Sequence, residues 1–410
     1  MPTTPESTNR SILLAAGALR ALATGMAGVL LGLYLSEVGL TPGAIGVVTG
    51  TGLAGAAVGA LLVTLRGDRW EVRRTLLVLG LLAMAGGALL AFASHPFALA
   101  AAAFLGMVNG MGRDRGPSNV LEQALLPATA PPARRTLTFA WYTALQDAGH
   151  ALGSLAAGLP ALLGAWFALG SLPSFRIAIL LYALLLGISA LLYLRLRPIR
   201  PAGATGVIAP RLTVSPQSRR ILTRISLLFA LDGLGGGLLT TTLLAYFFFE
   251  RFQVAAATVG VLLFAGRLAN VISHFGAAWL ARRIGLVNTM VWTHLPSSLL
   301  LIGAALAPSF PIAAAFFVLR EALVEMDVPT RQSYVMAVVR PEERTAASGI
   351  TNLVRLGMWA LGPVLGGWLM SGVALAAPLI AGAGLKMIYD VLLYVSFRGL
   401  PPPEEQTARA

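Results

Sequence analysis

Charged side chains occur inside stretches of this sequence that are otherwise apolar, and they are the first candidates for chemistry. Between Arg320 and Trp368 the chain is rich in Leu, Val, Ala and Gly, yet it carries acids and bases at several positions. An ionisable residue inside an apolar helix is expensive and usually marks a pathway or a site. A matching pattern lies about 210 residues earlier, where Pro117 and Gly153 correspond to Pro329 and Gly362. Two copies of one such half are typical of transporters.

Seven polar residues are predicted to line the path of a substrate or a proton. At 1.5 Å per residue, Arg20 and Asp232 lie about 14 Å and 17 Å along their helices, near the midplane of a roughly 30 Å apolar core. Opposite charges at matched depths predict a pair across a central cavity, two separate contacts to a substrate, or a structural pair that locks the halves together. The predicted pathway residues are Arg20, Asp147, His150, Asp232, Arg267, Asn270 and Arg355.

Asp147 and His150 are one turn apart on the same predicted helix. A carboxylate beside an imidazole can titrate near physiological pH, which a proton-coupled transporter requires. A plain hydrogen-bonded pair facing the bundle is the alternative. The types of Asp147, His150, His274 and Asp232 would permit a metal site, but no ligand spacing supports one. We expect neither a metal nor a cofactor.

A second set of charges, on the fourth and tenth apolar segments (near 97–126 and 311–339), is predicted to form a gate on the cytoplasmic side. In RDRGPSNVLEQ a continuous helix would place Arg115 and Glu122 on one face and Asp114 on another, and Pro117 would kink it. Contact with a substrate or a proton, and simple packing, are the alternatives. The predicted gate residues are Arg113, Asp114, Arg115, Glu122, Glu321, Glu325, Asp327 and Arg331.

Glycines in the eleventh apolar segment (near 345–371) follow the pattern G-x-x-x-x-G-P-x-x-G-G from Gly357 to Gly367. Small residues let helices approach closely, and a proline bends the helix. The fifth segment repeats the spacing from Gly149 to Gly158 with Ser154 in place of the proline. In the twelfth segment (near 376–397), Lys386 and Asp390 are four residues apart and are predicted to neutralise each other. In the ninth segment (near 286–307), His294 is predicted to be an isolated core histidine. The predicted helix-packing residues are Gly362, Pro363, Gly366 and Gly367.

The composition excludes a soluble protein. Hydrophobic residues make up 57% of the chain and charged residues 11%, whereas soluble domains carry about 25% charged residues. The absence of cysteine removes disulfides and thiol chemistry. The net charge of +13 is scattered between apolar segments, which indicates membrane topology and not nucleic-acid binding. No ATP-binding or hydrolase motif is present, so we expect no enzyme.

Twelve apolar segments are long enough to span a membrane, since about 20 residues suffice. They predict an all-α membrane protein with a first six-helix bundle in residues 1–196, a cytoplasmic linker in 197–220 and a second six-helix bundle in 221–410. The segments lie near 11–35, 43–65, 75–94, 97–126, 135–165, 175–196, 221–249, 256–281, 286–307, 311–339, 345–371 and 376–397.

Arginine-rich loops alternate with loops that hold no Arg or Lys, and the positive-inside rule then places both termini and the linker in the cytoplasm. This topology can be tested by labelling, because the chain has no native cysteine. We expect a Thr205→Cys variant to resist an impermeant thiol reagent in intact cells and to react once the membrane is permeabilised. Labelling from outside intact cells would contradict the topology.

A duplicated six-helix unit with a basic central loop resembles the major facilitator superfamily over essentially the whole chain. Asp68-Arg69 with Arg73-Arg74 is similar to that family's basic motif after the second helix, and Leu280–Gly285 keeps its shape after the eighth. The family's fourth-helix arginine, expected near Gly106, is absent. The resemblance implies two pseudo-symmetric bundles that rock around a midplane site, so that access alternates between the two sides of the membrane.

The resemblance also implies a function. We expect a secondary transporter of the inner membrane of a prokaryote, coupled to protons, which moves a small polar or anionic solute. A G-P-x-x-G-G box resembles the motif of drug-exporting antiporters, which favours efflux. A broad-specificity drug exporter and a lipid flippase or scramblase are the alternatives. The expected partners are the solute, protons and membrane lipids, and the expected state is a monomer.

Overall fold

The computed structural model describes residues 5–66, 70–131, 134–198, 216–326 and 344–397. Within these ranges the chain is almost entirely helical and contains no strand. The helices are α1 Pro5–Glu37, α2 Pro42–Arg66, α3 Val72–Phe92, α4 Pro96–Leu105, α5 Pro117–Leu125, α6 Arg135–Ser154, α7 Leu159–Phe167, α8 Ser171–Leu192, α9 Pro216–Gly237, α10 Thr241–Phe252, α11 Ala256–Ile284, α12 Leu286–Leu306, α13 Phe310–Val324, α14 Arg344–Gly372 and α15 Ala377–Phe397.

Several of these helices begin at a proline, which fits the first turn because its missing N–H has no partner there in any case. Pro42, Pro96 and Pro117 open α2, α4 and α5. The side chain of His95 caps α4 by accepting a hydrogen bond from the Phe97 amide. In lipid the backbone must satisfy its own hydrogen bonds, so apolar segments of this length are confined to helices.

Nine helical segments in the described residues are long and apolar enough to cross a membrane, and two shorter apolar helices accompany them. This confirms the all-α membrane fold and is consistent with twelve segments. Three predicted segments are interrupted instead of continuous. The fourth is split into α4 and α5, the fifth passes through a 3-10 turn between α6 and α7, and the seventh is split into α9 and α10. The described part of the tenth segment ends at Met326.

The described chain forms two compact units. The first unit contains α1–α8, α10 and the part of α11 up to Phe264, and the second contains α9, the rest of α11 and α12–α15. In the first unit α1 packs on α6 and α8, and in the second α9 packs on α14 and α12 packs on α13 and α15. The boundaries 1–196, 197–220 and 221–410 stay a prediction about the division of the sequence.

Glycines bring α1 against α6 and α9 against α14. A Cβ built on Gly153 would overlap the backbone of α1 at Leu22 and Met26, and one built on Gly362 would overlap the backbone of α9 at Gly237. Gly366 and Gly367 are also buried on α14, and Pro363 lies inside that helix. The repeated glycine pattern therefore marks equivalent close contacts in the two units, at the positions where the sequence predicts helix packing.

Candidate functional site

The first unit contains a buried cluster of charges around Arg20, which we call the first cluster (Arg20, Asp114, Glu122, Tyr142 and Tyr193). The Nε of Arg20 donates to Asp114 Oδ2 at 2.5 Å, and its Nη2 donates to Glu122 Oε2 at 2.5 Å. All three side chains are buried, with Glu122 at 0% exposure. A single guanidinium on α1 thus binds two carboxylates of the interrupted fourth segment.

Two tyrosines complete the hydrogen bonding of the Glu122 carboxylate. The Tyr142 hydroxyl donates to Oε2 and the Tyr193 hydroxyl donates to Oε1, both at 2.6 Å. Tyr193 also accepts from Arg20 Nη1 at 2.6 Å, and Gln146 donates to the Tyr142 hydroxyl at 3.2 Å. The carboxylate therefore contacts α1, α6 and the turn that follows α8.

The break in the fourth segment positions Asp114. Residues 106–116 are not helical, and Met107 and Gly112 adopt positive φ values of 51° and 66°. The Asn109 side chain replaces the missing helical bonds, since it accepts from the Met111 amide and donates to the Arg113 carbonyl. Gly112 adopts its positive φ at little steric cost, because glycine has no Cβ.

Further bonds hold Asp114 at the end of the break. The Asp114 side chain accepts from the Gly116 amide, and its carbonyl accepts from Asn119. The Asp114 amide donates to His150 Nε2 at 2.8 Å, which ties His150 of α6 to the first cluster. Asp147, on the same helix, is half-buried.

The predicted single helix through residues 113–122 is wrong, because α5 begins only at Pro117. Arg115 and Glu122 do not share a helical face: Arg115 is exposed, whereas Glu122 is buried. Arg113 lies in the irregular segment and is half-buried. The sequence predicts that Pro117 kinks a continuous helix, whereas in the structure Pro117 is the first residue of α5 and Gly116 is its N-cap.

A small cavity opens beside the first cluster. It is lined by Arg20, Asp114, Asn109, Ser118, Tyr182 and Tyr193, together with apolar residues of α2, α3 and α8. Its volume of about 50 Å³ exceeds the roughly 10–15 Å³ that a cavity needs to hold a water molecule. Water can therefore sit next to the Asp114 carboxylate.

The second unit contains a chain of charges that we call the second cluster (Asp232, His294, Arg355, Lys386 and Asp390). Lys386 Nζ donates to Asp232 Oδ1 at 2.9 Å, and Arg355 Nη2 lies 3.4 Å from Asp232 Oδ2. The guanidinium of Arg355 also lies over the Trp359 ring, 4.8 Å from its centroid. Asp232 is 2% exposed, so its charge is matched inside the protein.

His294 joins the two acids of the second cluster through Lys386. Its Nε2 lies 3.3 Å from Lys386 Nζ, and its Nδ1 lies 2.9 Å from Asp390 Oδ1. His294 is therefore buried but not isolated. Lys386 and Asp390 do not simply neutralise each other along α15, because Lys386 binds Asp232 of α9 and Asp390 contacts His294 of α12. Both of these predictions are wrong.

A third group of polar residues lies between α11 and α13. Asn270 Nδ2 donates to Glu321 Oε2 at 2.8 Å, and Arg320 donates to Glu321 Oε1. Glu325 is half-buried at the end of α13, and Arg267 is half-buried on α11. Asp327 and Arg331 lie outside the described residues.

Arg20 and Asp232 each have charge partners within their own unit, which disfavours a direct pair among the alternatives that the sequence leaves open. Arg20 binds Asp114 and Glu122, whereas Asp232 binds Lys386 and Arg355. Each of these two buried charges therefore has opposite charges beside it within its own unit. The sequence did place charges at matched positions of the repeat, but it could not select partners among acids and bases that are far apart along the chain.

The described residues contain several helices long and apolar enough to cross a membrane, with buried charges among them, which is the architecture of a multi-pass membrane protein. The sequence matches the profile of the Major Facilitator Superfamily over residues 13–363 and 225–410, and the chain belongs to that superfamily. It is a transporter and not an enzyme.

Solved structures and one curated relative cover nearly the whole chain. The nucleoside transporter NupG aligns at 15% identity with a TM-score of 0.78, covering 95% of this chain and 99% of that one. A bacterial homologue of the human lysosomal transporter Spinster aligns at 14% identity with a TM-score of 0.76, covering 95% and 96%. An uncharacterised membrane protein of Saccharomyces cerevisiae is 24% identical over 420 residues, which is 95% of this chain and 94% of that protein.

Proposed function

We propose that this protein is a proton-coupled secondary transporter that exports a small polar or anionic solute by alternating access. We place it in the inner membrane with both termini in the cytoplasm. The observation that carries the proposal is the first cluster, in which two buried carboxylates share one guanidinium. The other residues of the predicted pathway are proposed to contact the solute or the proton during this cycle. The other residues of the predicted gate are proposed to close the cytoplasmic side.

The charge count of the first cluster favours a bound proton. Arg20 contributes one positive charge, and Asp114 and Glu122 would contribute two negative charges if both were ionised. An unmatched charge is expensive inside a membrane-spanning unit, and a proton on one carboxylate removes it. A charge that crosses 100 mV gains about 2.3 kcal/mol, so a proton released and reloaded once per cycle can drive transport.

The polar character of the solute is inferred from the arginines. The Arg355 guanidinium lies over the Trp359 ring, and Arg20 borders a cavity with room for water. Guanidinium groups recognise carboxylates and phosphates through paired hydrogen bonds. The export direction rests on the glycine pattern of α14 and α6. A lipid or a hydrophobic cation is a poorer match to such buried charges.

The proposal can be tested with purified protein in liposomes under an imposed pH gradient. The panel should contain nucleosides and organic anions, which structural neighbours are named for, along with hydrophobic cations and a fluorescent lipid. We expect gradient-driven flux of a polar or anionic solute. Movement of only the cations or the lipid would instead establish the drug-exporter or flippase alternative.

Glu122→Gln tests the coupling. Glutamine keeps one of the two oxygens that accept from the tyrosine hydroxyls and cannot release a proton. We expect gradient-driven flux to fall to the level of empty liposomes, while exchange of labelled for unlabelled solute continues. Glu37→Gln, at the exposed end of α1, is the matched control and should behave like the unmodified protein. Full gradient-driven flux in Glu122→Gln would contradict coupling at this site.

A further inference from the structure

We infer that His294 and Asp390 form a second proton-binding site, in the second unit, and that a proton bound there separates Lys386 from His294. As a step in transport, this inference rests on the proposed function. The site lies outside the residues that the sequence analysis assigned to the pathway, and its geometry links it to one of them, Asp232.

The partners of His294 determine which of its ring nitrogens carries hydrogen. An ammonium group can only donate, so Lys386 Nζ, 3.3 Å away, requires a lone pair on Nε2. A carboxylate can only accept, so Asp390, at 2.9 Å and 3.0 Å, requires hydrogen on Nδ1. The neutral Nδ1–H form of His294 satisfies both contacts.

A proton added to Nε2 is incompatible with the Lys386 contact. The new N–H would face an ammonium group with no acceptor between them, and two positive charges would stand about 3 Å apart. The proton comes from water and no covalent bond of the protein breaks, but the hydrogen bond from Lys386 to His294 is lost. The imidazolium keeps Asp390 as its counter-ion, so the gain in charge stays local.

A proton on His294 alters the charge balance of the second cluster. With His294 neutral, the second cluster has two positive groups, Arg355 and Lys386, and two negative groups, Asp232 and Asp390. An added proton leaves one positive charge in excess. Lys386 must then rely on Asp232, which already holds Arg355. Proton binding at His294 therefore acts on the partners of Asp232.

The elements packed on α12 place few other titratable groups near the ring. From α15, Tyr389 lies edge-on with a 6.2 Å centroid separation, beside Lys386 and Asp390. From α13, Arg320 pairs with Glu321, which also accepts from Asn270. An apolar cluster that includes Phe229, Met290 and Leu393 joins α9, α12 and α15. The described neighbours thus give His294 one cation and one anion.

Histidine NMR tests the site directly, because the chain has only four histidines. We would label the purified protein with 15N-histidine and record spectra between about pH 5 and pH 9, the range in which histidines titrate. A His294→Gln variant identifies the His294 signals. We expect the Nδ1–H form at high pH and a second proton on Nε2 as the pH falls. A single neutral form throughout the range would overturn the inference.

Transport by the same variant tests the role of the site. Glutamine at position 294 can accept from Lys386 and donate to Asp390, so the contacts persist without a titratable ring. We expect the flux of the unmodified protein to change over the pH range in which His294 gains its Nε2 proton. We expect His294→Gln to lose that change. The matched control is His95→Gln, since His95 only caps α4, and it should keep the normal pH profile. An unchanged profile in His294→Gln would remove the site from the transport cycle.

The two proposals fail separately. If no solute in the panel shows gradient-driven flux but His294 gains its Nε2 proton, the binding site stands and the proposed function is contradicted. If Glu122→Gln abolishes coupled flux and His294 keeps one neutral form, the proposed function stands and this inference is overturned.

Discussion

Replacing Arg20 by glutamine is expected to leave almost no folded protein after extraction into detergent. The substitution leaves Asp114 and Glu122 buried without their cation. Removing one partner of a buried ion pair costs about 3–5 kcal/mol because it strands the remaining charge, and here both carboxyl groups lose the guanidinium that they share. The measurement is the fraction of protein that elutes as a single monodisperse species, compared with the unmodified chain.

The pattern of rescue identifies the partners of Arg20. Adding Asp114→Asn and Glu122→Gln to Arg20→Gln leaves no ionisable carboxyl group at the site, so we expect folded protein to return without gradient-driven transport. Adding Asp232→Asn should not rescue folding, because Asp232 binds Lys386 and Arg355. Recovery of folding by Asp232→Asn, and not by the first combination, would contradict the assignment of the first cluster.

Two alanine substitutions on α14 are expected to shift the thermal midpoint in opposite directions. In Gly362→Ala the new methyl group would overlap the backbone of Gly237, and overpacking of this kind typically costs about 1–3 kcal/mol. In Gly357→Ala nothing lies within 4 Å of the new carbon. There the alanine should stabilise the helix by about 0.5–1 kcal/mol, because glycine has more backbone freedom to lose.

Melting curves of the two variants in the same detergent provide the measurement. Because the two changes are chemically identical and five residues apart on one helix, differences in helix propensity largely cancel. We expect Gly362→Ala to melt below the unmodified protein and Gly357→Ala at or above it. Equal midpoints for the two variants would mean that α9 and α14 can separate without loss of stability.

The sequence was sufficient to predict that the fold is helical and membrane-spanning, because long apolar runs leave few other structures. It was also sufficient to find the glycines of α6 and α14, since close helix contacts require small residues. Arg20, Asp114 and Glu122 were all predicted to be functional. Their direct contact was not predicted, because it depends on how α1 packs against the fourth segment.

Two kinds of residue escaped the sequence analysis. Tyr193 was missed because a tyrosine in an apolar helix gives no distinctive signal, although its hydroxyl bonds both Arg20 and Glu122. Lys386 and His294 were misassigned because spacing along one helix favoured the local pair of Lys386 with Asp390. Because α12 packs on α15, His294 contacts both Lys386 and Asp390. The spacing of residues within α15 gives no sign of these contacts.

The break in the fourth segment also has a consequence for how the chain enters the membrane during synthesis. With 10 and 9 residues, α4 and α5 reach only about 15 Å each, half of a core about 30 Å thick. Neither half spans alone, and Asp114 and Glu122 each add about 2.5–3.5 kcal/mol to the insertion cost. Arg20 is made first and supplies the cation that binds both acids. We therefore expect α1 to remain beside the insertion machinery until the fourth segment arrives, so that the two enter the lipid together and not one at a time.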